Sequence, residues 1–185
     1  MDSLVLQGSL QTTAHRGTEA ARRAVALDLS LAEAHSALAC ACLLDLWDKT
    51  EAEREFLRAL ELNPKYIQTR DWYAFFYLQL AAGRLEDGVT QAKLALQSDP
   101  LSSYANTMIG FTCSAAGQYP EAIQACERAV RLDPDSFLAR WCYHMALQLG
   151  GRLEEAMAVG EQASAMSVRH PWAITSLAVM LGHSR

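Results

Sequence analysis

Apolar residues recur at helical spacing along most of the chain, in runs about a dozen residues long. One run extends from about Thr69 to Ala82 and the next from about Glu86 to Ser98, with Gly83 between them. A glycine at such a point lets one helix end and the chain turn back, because its backbone adopts conformations that other residues resist. The pattern therefore predicts pairs of antiparallel helices joined by short turns.

The helix pairs repeat along the chain. Three of the five prolines close similar tetrapeptides, ELNP, QSDP and RLDP, at Pro64, Pro100 and Pro134, so the intervals between them are 36 and 34 residues. Similar steps lead back to Leu29 and forward to Val168. Because an internal period constrains the fold more strongly than any single element, we take these five positions as the ends of successive repeats.

Small residues follow the same register. Twelve and five residues before each repeat end, every position carries Gly or Ala, which predicts places where two helices cross closely. These positions are Gly17, Ala52, Gly88, Ala122 and Ala156, and Ala24, Ala59, Ala95, Ala129 and Ala163. The turn glycines are Gly83, Gly117 and Gly151. Pro120 falls in the first turn of the helix after Gly117, where its missing N–H costs nothing.

Two repeats are longer than the others. The repeat that ends at Pro64 has an extra residue, which we place in the turn LLDLWDKTEAE, with Trp47 where the turn glycine would stand. The repeat that ends at Pro100 has two extra residues, which we place in the junction around KYIQ. Local irregularity is expected at both points.

These motifs resemble the tetratricopeptide repeat, a helix-turn-helix unit of 34 residues with the pattern W-x2-L-G-x2-Y, A-x3-F, A and P. The best copy consists of Ile109, Gly110, Gly117, Tyr119, Ala122, Ala129 and Pro134, and a less regular copy of Trp72, Phe75, Phe76, Gly83, Gly88, Ala95 and Pro100. The resemblance implies an all-α fold, a right-handed α-α superhelix (solenoid) of about four and a half repeats. LWDKTEAEREFLRALELNP together with TRDWYAFFYLQLAAGR is also similar to repeat segments of bacterial multidomain signalling proteins.

We expect a single array over residues 1–185. Its repeats would span 1–29 in degraded form, 30–64, 65–100, 101–134, 135–168 and, in part, 169–185. Repeat arrays normally need polar caps, and neither end supplies one. Two interpretations follow: the chain is a fragment of something longer, or the helix from Trp172 to Leu181 associates with a second copy.

Composition limits the function classes. The net charge is -5 and no basic stripe is present, which argues against nucleic acid as a partner. No stretch approaches the ~20 apolar residues of a membrane span, and the first residues lack the features of a secretory signal. Five cysteines without a CxxC motif fit reduced thiols, so we expect a cytoplasmic protein. Cys113 and Cys126 fall on paired helices and could lie near each other.

No motif for catalysis or metal binding is present. The five histidines lack zinc-ligand spacing, and no nucleophile elbow, phosphate loop or HExxH occurs. Acidic pairs such as Glu154 and Glu155 open a second helix, where they favour the positive end of the helix dipole. We therefore expect no enzyme activity, metal or cofactor. A hydrolase built on paired helices would need acidic residues on the concave face, where the register places Glu33 and little else.

The resemblance also implies a binding surface, because the first helix of each repeat lines the concave face in that family. The projected groove residues are Arg70, Tyr73, Tyr77, Tyr104, Thr107, Met108, Phe111, Trp141, Met145 and Trp172. Other positions, Phe75, Ile109, Tyr143 and Leu177, would supply the buried side. Aromatic residues at helical spacing also commonly form the core, which is the other interpretation for each one.

The expected function is a non-catalytic protein-protein interaction module that binds an apolar or aromatic peptide segment or partner domain, with Arg70 as an anion contact. The alternative is a self-associating scaffold whose terminal helix mediates homo-oligomerisation. Some members of the resembled family hold a peptide carboxylate with a Lys/Asn/Arg clamp. Here only Arg70 is basic, and Ala74 and Met108 stand where asparagine would be needed, so this mode is not expected.

Overall fold

Helices and short turns make up the residues that the computed structural model describes, which are 3–166 for the backbone and 15–166 for the side chains. The helices in this part of the chain are α1 (Ser3–Leu27), α2 (Ala32–Ala41, continued as a π-helix over Cys42–Leu46), α3 (Lys49–Leu62), α4 (Ile67–Trp72, continued as a π-helix over Tyr73–Ala81), α5 (Leu85–Ser98), α6 (Ser103–Ala115), α7 (Tyr119–Leu132), α8 (Phe137–Leu149) and α9 (Leu153–Met166). Trp172 and the predicted terminal helix lie outside the described residues.

The chain divides into two compact units, Met1–Gln91 and Ala92–Arg185, and the division falls inside α5. In the first, Phe56, Tyr73, Tyr77 and Leu78 form the centre of an apolar core. In the second, the buried side chains include Ile109, Cys113, Cys126, Cys142 and Leu147. None of the described helices is long and apolar enough to cross a membrane.

The predicted turns between paired helices are present. Gly83, Gly117 and Gly151 have φ values of 69°, 75° and 78°, the left-handed conformation that glycine adopts without strain. Trp47 takes the same role in the turn after α2, with a φ of 51°. Pro120 lies in the first turn of α7, as predicted.

The four repeat ends among the described residues each form an Asx turn that the proline pattern alone does not reveal. The residue before the closing position accepts a hydrogen bond through its side-chain oxygen from the backbone N–H two residues later, which fixes a tight turn. The four donor-acceptor pairs are Ser30 to Asp28, Lys65 to Asn63, Leu101 to Asp99 and Asp135 to Asp133, at 2.8–3.2 Å. The Asn or Asp in ELNP, QSDP and RLDP is therefore part of the turn.

The extra residues of the two long repeats lie inside their first helices. The predicted junction around KYIQ is therefore wrong, whereas the π-helix over Cys42–Leu46 overlaps the predicted segment LLDLWDKTEAE but ends before its turn. α4 begins three residues after Pro64, just as α6 and α8 begin three residues after Pro100 and Pro134. α4 then runs for six residues of α-helix and nine of π-helix, whereas α6 has 13 residues in all. A π-helix bonds each N–H one residue further back, so it absorbs insertions without breaking the helix.

Most of the predicted small positions are sites of close helix packing. Ala52, Ala59, Ala122 and Ala129 have no exposed surface. A Cβ added at Gly110, which precedes them in the family pattern, would overlap the Cys126 sulfur and lie 3.0 Å from the Cys142 sulfur. The prediction that the small positions pack closely is wrong in α1. Gly17 is exposed, and a Cβ added there would have no atom within 4 Å; Ala24 is only half-buried.

Candidate binding surface

Tyr73 and Tyr77 of the predicted groove lie in the core of the first compact unit. Each is only 7% exposed, and their rings stack with centroids 5.5 Å apart and planes 9° apart. Both rings also contact Phe56 of α3, at centroid distances of 5.6 and 6.5 Å. Burial is the largest effect that raises the pKa of Tyr77, to about 12. These aromatic groups stabilise the packing of α4 on α3 and offer a partner little surface.

The start of α4 explains this difference from the projected groove. Tyr73 and Tyr77 stand nine and 13 residues after Pro64, the offsets at which Ile109 and Cys113 follow Pro100. The two extra residues of this repeat lie further along the helix, so Tyr73 and Tyr77 take the same positions as Ile109 and Cys113, which are buried. Phe75, which was assigned to the buried side, is half-buried instead.

Arg70 already makes two side-chain hydrogen bonds. Its Nη1 donates to Gln91 Oε1 at 2.7 Å, and its Nη2 donates to the carbonyl oxygen of Pro64 at 3.1 Å. Arg140 makes the same pair of contacts with Gln162 and Pro134. The guanidinium therefore links the end of the preceding repeat to a helix, which limits its availability as an anion contact.

In the second compact unit, two of the projected groove residues are also buried. Thr107 donates through Oγ1 to the carbonyl oxygen of Ser103 at 2.8 Å and is 1% exposed. Met108 is 5% exposed. These two side chains pack inside the unit. The accessible surface of α6 and α8 is therefore formed by other residues.

Four of the projected residues in this unit retain accessible surface, and we call them the aromatic face: Tyr104, Phe111, Trp141 and Met145. Tyr104 is 37% exposed and the other three are half-buried. The rings of Phe111 and Trp141 contact each other across α6 and α8, with centroids 5.6 Å apart and planes inclined by 46°. Helical spacing places Tyr104 with Phe111 and Trp141 with Met145, so the face spans both helices.

The helices that carry the aromatic face are nearly devoid of charge. α6 contains no Asp, Glu, Lys or Arg, and the one such residue in α8 is Arg140, which is bound to Pro134 and Gln162. A tyrosine hydroxyl and a tryptophan N–H are therefore the polar groups that this face contributes. The arrangement suits apolar contacts with a few hydrogen bonds.

The cysteines of this unit form a buried cluster next to Gly110. The sulfurs of Cys126 and Cys142 are 3.2 Å apart across α7 and α8. Burial raises the pKa of the Cys142 thiol. Among the described residues, no group of three or more His, Cys, Asp or Glu side chains is arranged to hold a metal ion.

Sequence reasoning missed two features. One is the position six residues after the four described repeat ends, where a side chain contacts the carbonyl oxygen of the closing residue; the residues are His35, Arg70, Asn106 and Arg140. The other is Asp71, which is fully buried, and neither of its carboxylate oxygens accepts a hydrogen bond from the described residues. Comparing the repeats at equal offsets would have revealed the first, whereas nothing in the sequence marks the second.

Comparison with known sequences supports the repeat assignment. A sequence model of the tetratricopeptide repeat matches residues 73–137 and 114–167, together just over half of the chain. None of the curated protein sequences compared with this chain matches it significantly.

Solved structures of tetratricopeptide repeat (TPR) proteins share the fold. TTC0263, a thermophilic TPR protein from Thermus thermophilus, has a TM-score of 0.81 at 20% identity, over 96% of this chain and 95% of that chain. YrrB, a TPR protein with an unusual peptide-binding site, has a TM-score of 0.62 at 16% identity, over 94% and 87%. The second TPR domain of human RPAP3, in complex with the HSP70 peptide SGPTIEEVD, has a TM-score of 0.50 at 20% identity, over 55% and 85%. The likeness confirms the predicted all-α helical-repeat solenoid fold.

Proposed function

This chain belongs to the tetratricopeptide repeat family, and from that premise we propose that it is a non-catalytic protein-interaction module whose aromatic face binds an apolar peptide segment. The observation that carries the proposal is the contact between Phe111 and Trp141, which joins two first helices into one partly exposed apolar surface. Large aromatic side chains suit such a surface because they offer wide contact area with few rotamers to restrict.

The charge pattern favours an uncharged partner segment. The HSP70 peptide bound by the RPAP3 domain, SGPTIEEVD, contains three acidic residues. The two helices that carry the aromatic face contain one basic residue, Arg140, and both of its Nη atoms already donate, to Pro134 and Gln162. We therefore propose a segment rich in aliphatic or aromatic side chains, in an extended or helical conformation.

Trp141→Ala tests the proposal. Random peptides displayed on phage and selected on the intact wild-type chain should be rich in apolar residues, and the selected peptides should bind Trp141→Ala at least about tenfold more weakly, since buried aromatic anchors dominate such interfaces. Isothermal titration calorimetry gives the affinity, and circular dichroism checks that helicity is unchanged.

Leu153→Ala is the matched control, because Leu153 is an exposed apolar residue of the same compact unit that lies on α9 and not on α6 or α8. Its affinity for the selected peptides should equal that of the wild type. Equal binding by wild type and Trp141→Ala would contradict the assignment of the aromatic face.

Self-association through the helix from Trp172 to Leu181 stays a prediction, since that segment lies outside the described residues. Sedimentation equilibrium tests it, and a monomer at high concentration would remove it. The cytoplasmic location and the attachment to a bacterial multidomain signalling protein also stay predictions.

A further inference from the structure

Two cysteine sulfurs face each other inside the second compact unit. The sulfur of Cys126 on α7 lies 3.2 Å from the sulfur of Cys142 on α8, and neither residue is more than 1% exposed. A Cβ on Gly110 of α6 would overlap the first sulfur and lie 3.0 Å from the second. The two sulfurs therefore meet over a point of α6 where glycine leaves no side chain to separate them.

Packing alone does not require cysteine at these two positions. Cys126 and Cys142 stand eight residues before and eight residues after the closing residue of their repeat end, Pro134. At the same distances from Pro64 and Pro100 the chain carries apolar residues without a thiol, Phe56 with Trp72 and Ala92 with Met108. The pair at Pro134 therefore adds a chemistry that the other repeat ends do not have.

In the reduced chain, the two thiols form weak hydrogen bonds. Cys126 donates to the Cys142 sulfur, and the Cys142 sulfur lies 3.6 Å from the carbonyl oxygen of Thr107. Burial raises the pKa of the Cys142 thiol, which keeps it protonated and unreactive while the helices are packed together. An oxidant therefore reaches the pair through a transient separation of α7 and α8.

We propose that Cys126 and Cys142 are a reversible disulfide site that locks α7 to α8 when the chain meets a small-molecule disulfide, namely glutathione disulfide. A disulfide bond is about 2.05 Å long, so sulfurs that start 3.2 Å apart need to approach by about 1.2 Å. The bond would join the second helix of one repeat to the first helix of the next. The proposal does not depend on the aromatic face.

The reaction is a thiol–disulfide exchange in two steps. One protein sulfur, as a thiolate, attacks a sulfur of glutathione disulfide, whose S–S bond breaks and releases one glutathione that takes up the proton. The other protein sulfur then loses its proton, attacks the protein sulfur of the mixed disulfide and releases the second glutathione. Two protein thiols are oxidised, and one glutathione disulfide is reduced to two glutathione thiols.

Peptide mapping of the full folded chain tests the site. The chain is incubated with glutathione disulfide at about pH 8, where an accessible thiol is partly ionised. Free thiols are then blocked with N-ethylmaleimide, and the unreduced protein is digested with trypsin and Glu-C protease. These enzymes separate Cys113 from Cys126, because they cut after Glu121, Glu127, Arg140 and Arg152. The expected product joins residues 122–127 to residues 141–152.

The other cysteines distinguish a specific site from indiscriminate oxidation. Cys40 is half-buried, whereas the remaining cysteines are buried. Cys113 is closer in sequence to Cys126 than Cys142 is, so in an unfolded chain the Cys113–Cys126 link forms at least as readily. In the folded chain, the Cys126–Cys142 link should be about tenfold more abundant or more, since its geometry is already close to that of a disulfide.

Urea-unfolded chain, oxidised in the same way, should lose this preference. Glutathione attached to Cys40 as the main product of the folded chain would overturn the proposal, and so would equal amounts of the two links. Because this mapping uses the wild type, its result does not depend on how well any variant folds.

Cys113→Ala is the matched control variant for Cys126→Ala, since both remove a buried thiol from the same compact unit. The first should keep the link and the second should lose it. Closing a loop of about 15 residues should lower the equilibrium constant for unfolding on the order of 100-fold in oxidised Cys113→Ala relative to its reduced form, and should leave Cys126→Ala unchanged. Urea unfolding with and without dithiothreitol measures this shift. Equal unfolding midpoints of the linked and reduced forms would overturn the lock.

Discussion

Asp71 is an acidic side chain enclosed in the first compact unit with no exposed surface. Its burial raises its pKa to about 8, although the charge of the adjacent Arg70 opposes the shift. Below that pH the folded chain keeps a proton on Asp71, whereas the unfolded chain loses it near its ordinary pKa of 3.8. Stability contributed by this group is therefore present below pH 3.8 and lost as the pH rises towards 8.

We predict that Asp71→Asn increases the free energy of unfolding at about pH 8, by roughly 2 to 5 kcal/mol, because the amide keeps the shape of the carboxyl and needs no proton. The gain should shrink as the pH falls. Urea unfolding between about pH 4 and 8 measures it, with the exposed Asp135→Asn as the control. A parallel pH dependence in wild type and Asp71→Asn would contradict the burial of an unpaired carboxyl group.

At the scale of the element, α6 packs against α7 at Gly110, where glycine has a hydrogen atom in place of a side chain. A Cβ at Gly110 would overlap the Cys126 sulfur, and the Cys126 side chain is fully buried. Overpacking of a close contact of this kind typically costs about 1 to 3 kcal/mol. The α6–α7 crossing therefore depends on the pair Gly110 and Cys126 together.

The pair is testable with a double-mutant cycle. Gly110→Ala should lower the free energy of unfolding by about 1 to 3 kcal/mol, and adding Cys126→Ala should recover part of that loss, because removing the sulfur makes space for the new methyl group. Thermal and urea unfolding followed by circular dichroism give the four free energies. Additive losses in the double variant would mean that the two residues are not in contact.

The helix pairs could be predicted from the sequence because glycines, prolines and apolar spacing mark their ends. Of the projected groove residues, Phe111 and Trp141 lie on repeats of regular length, and the register places them on the first helices α6 and α8, where their rings are in contact. Their role in binding stays a proposal. Tyr73 and Tyr77 lie on a repeat with two extra residues. The register misplaces them, because the period shows how many residues are inserted but not where they lie. A π-helix has no distinctive composition; here it is visible in backbone bonds such as Ala82 N–H to the Tyr77 carbonyl.

At the scale of the whole molecule, the described helices are grouped into two compact units, and repeat arrays are held together by contacts between neighbours. The apolar core around Phe56 and Tyr77 draws on residues between Ala21 and Ala81. A change in the packing of one unit should therefore act mainly on that unit's own helices.

Hydrogen exchange with mass spectrometry tests this expectation. Gly110→Ala should reduce the amide protection of α6, α7 and α8 by more than that of α2 and α3, because the strain is applied within the second compact unit. Asp71→Asn, a change in the first unit, serves as the reciprocal control. An equal loss in all helices of Gly110→Ala would show that the described chain opens as one cooperative structure.

The Asx turns that close the repeats have a practical consequence for protein engineering. Segment 101–134 is preceded by the turn of Asp99 and contains the turn residue Asp133 near its own end, and the same backbone bond follows both, Ser102 N–H to the Asp99 carbonyl and Ser136 N–H to the Asp133 carbonyl. A duplicate of this segment placed after Pro134 would thus be connected by the same kind of turn that already links the repeats. The segment is therefore a module with which the array could be lengthened, and each added copy would carry another Tyr104 and Phe111.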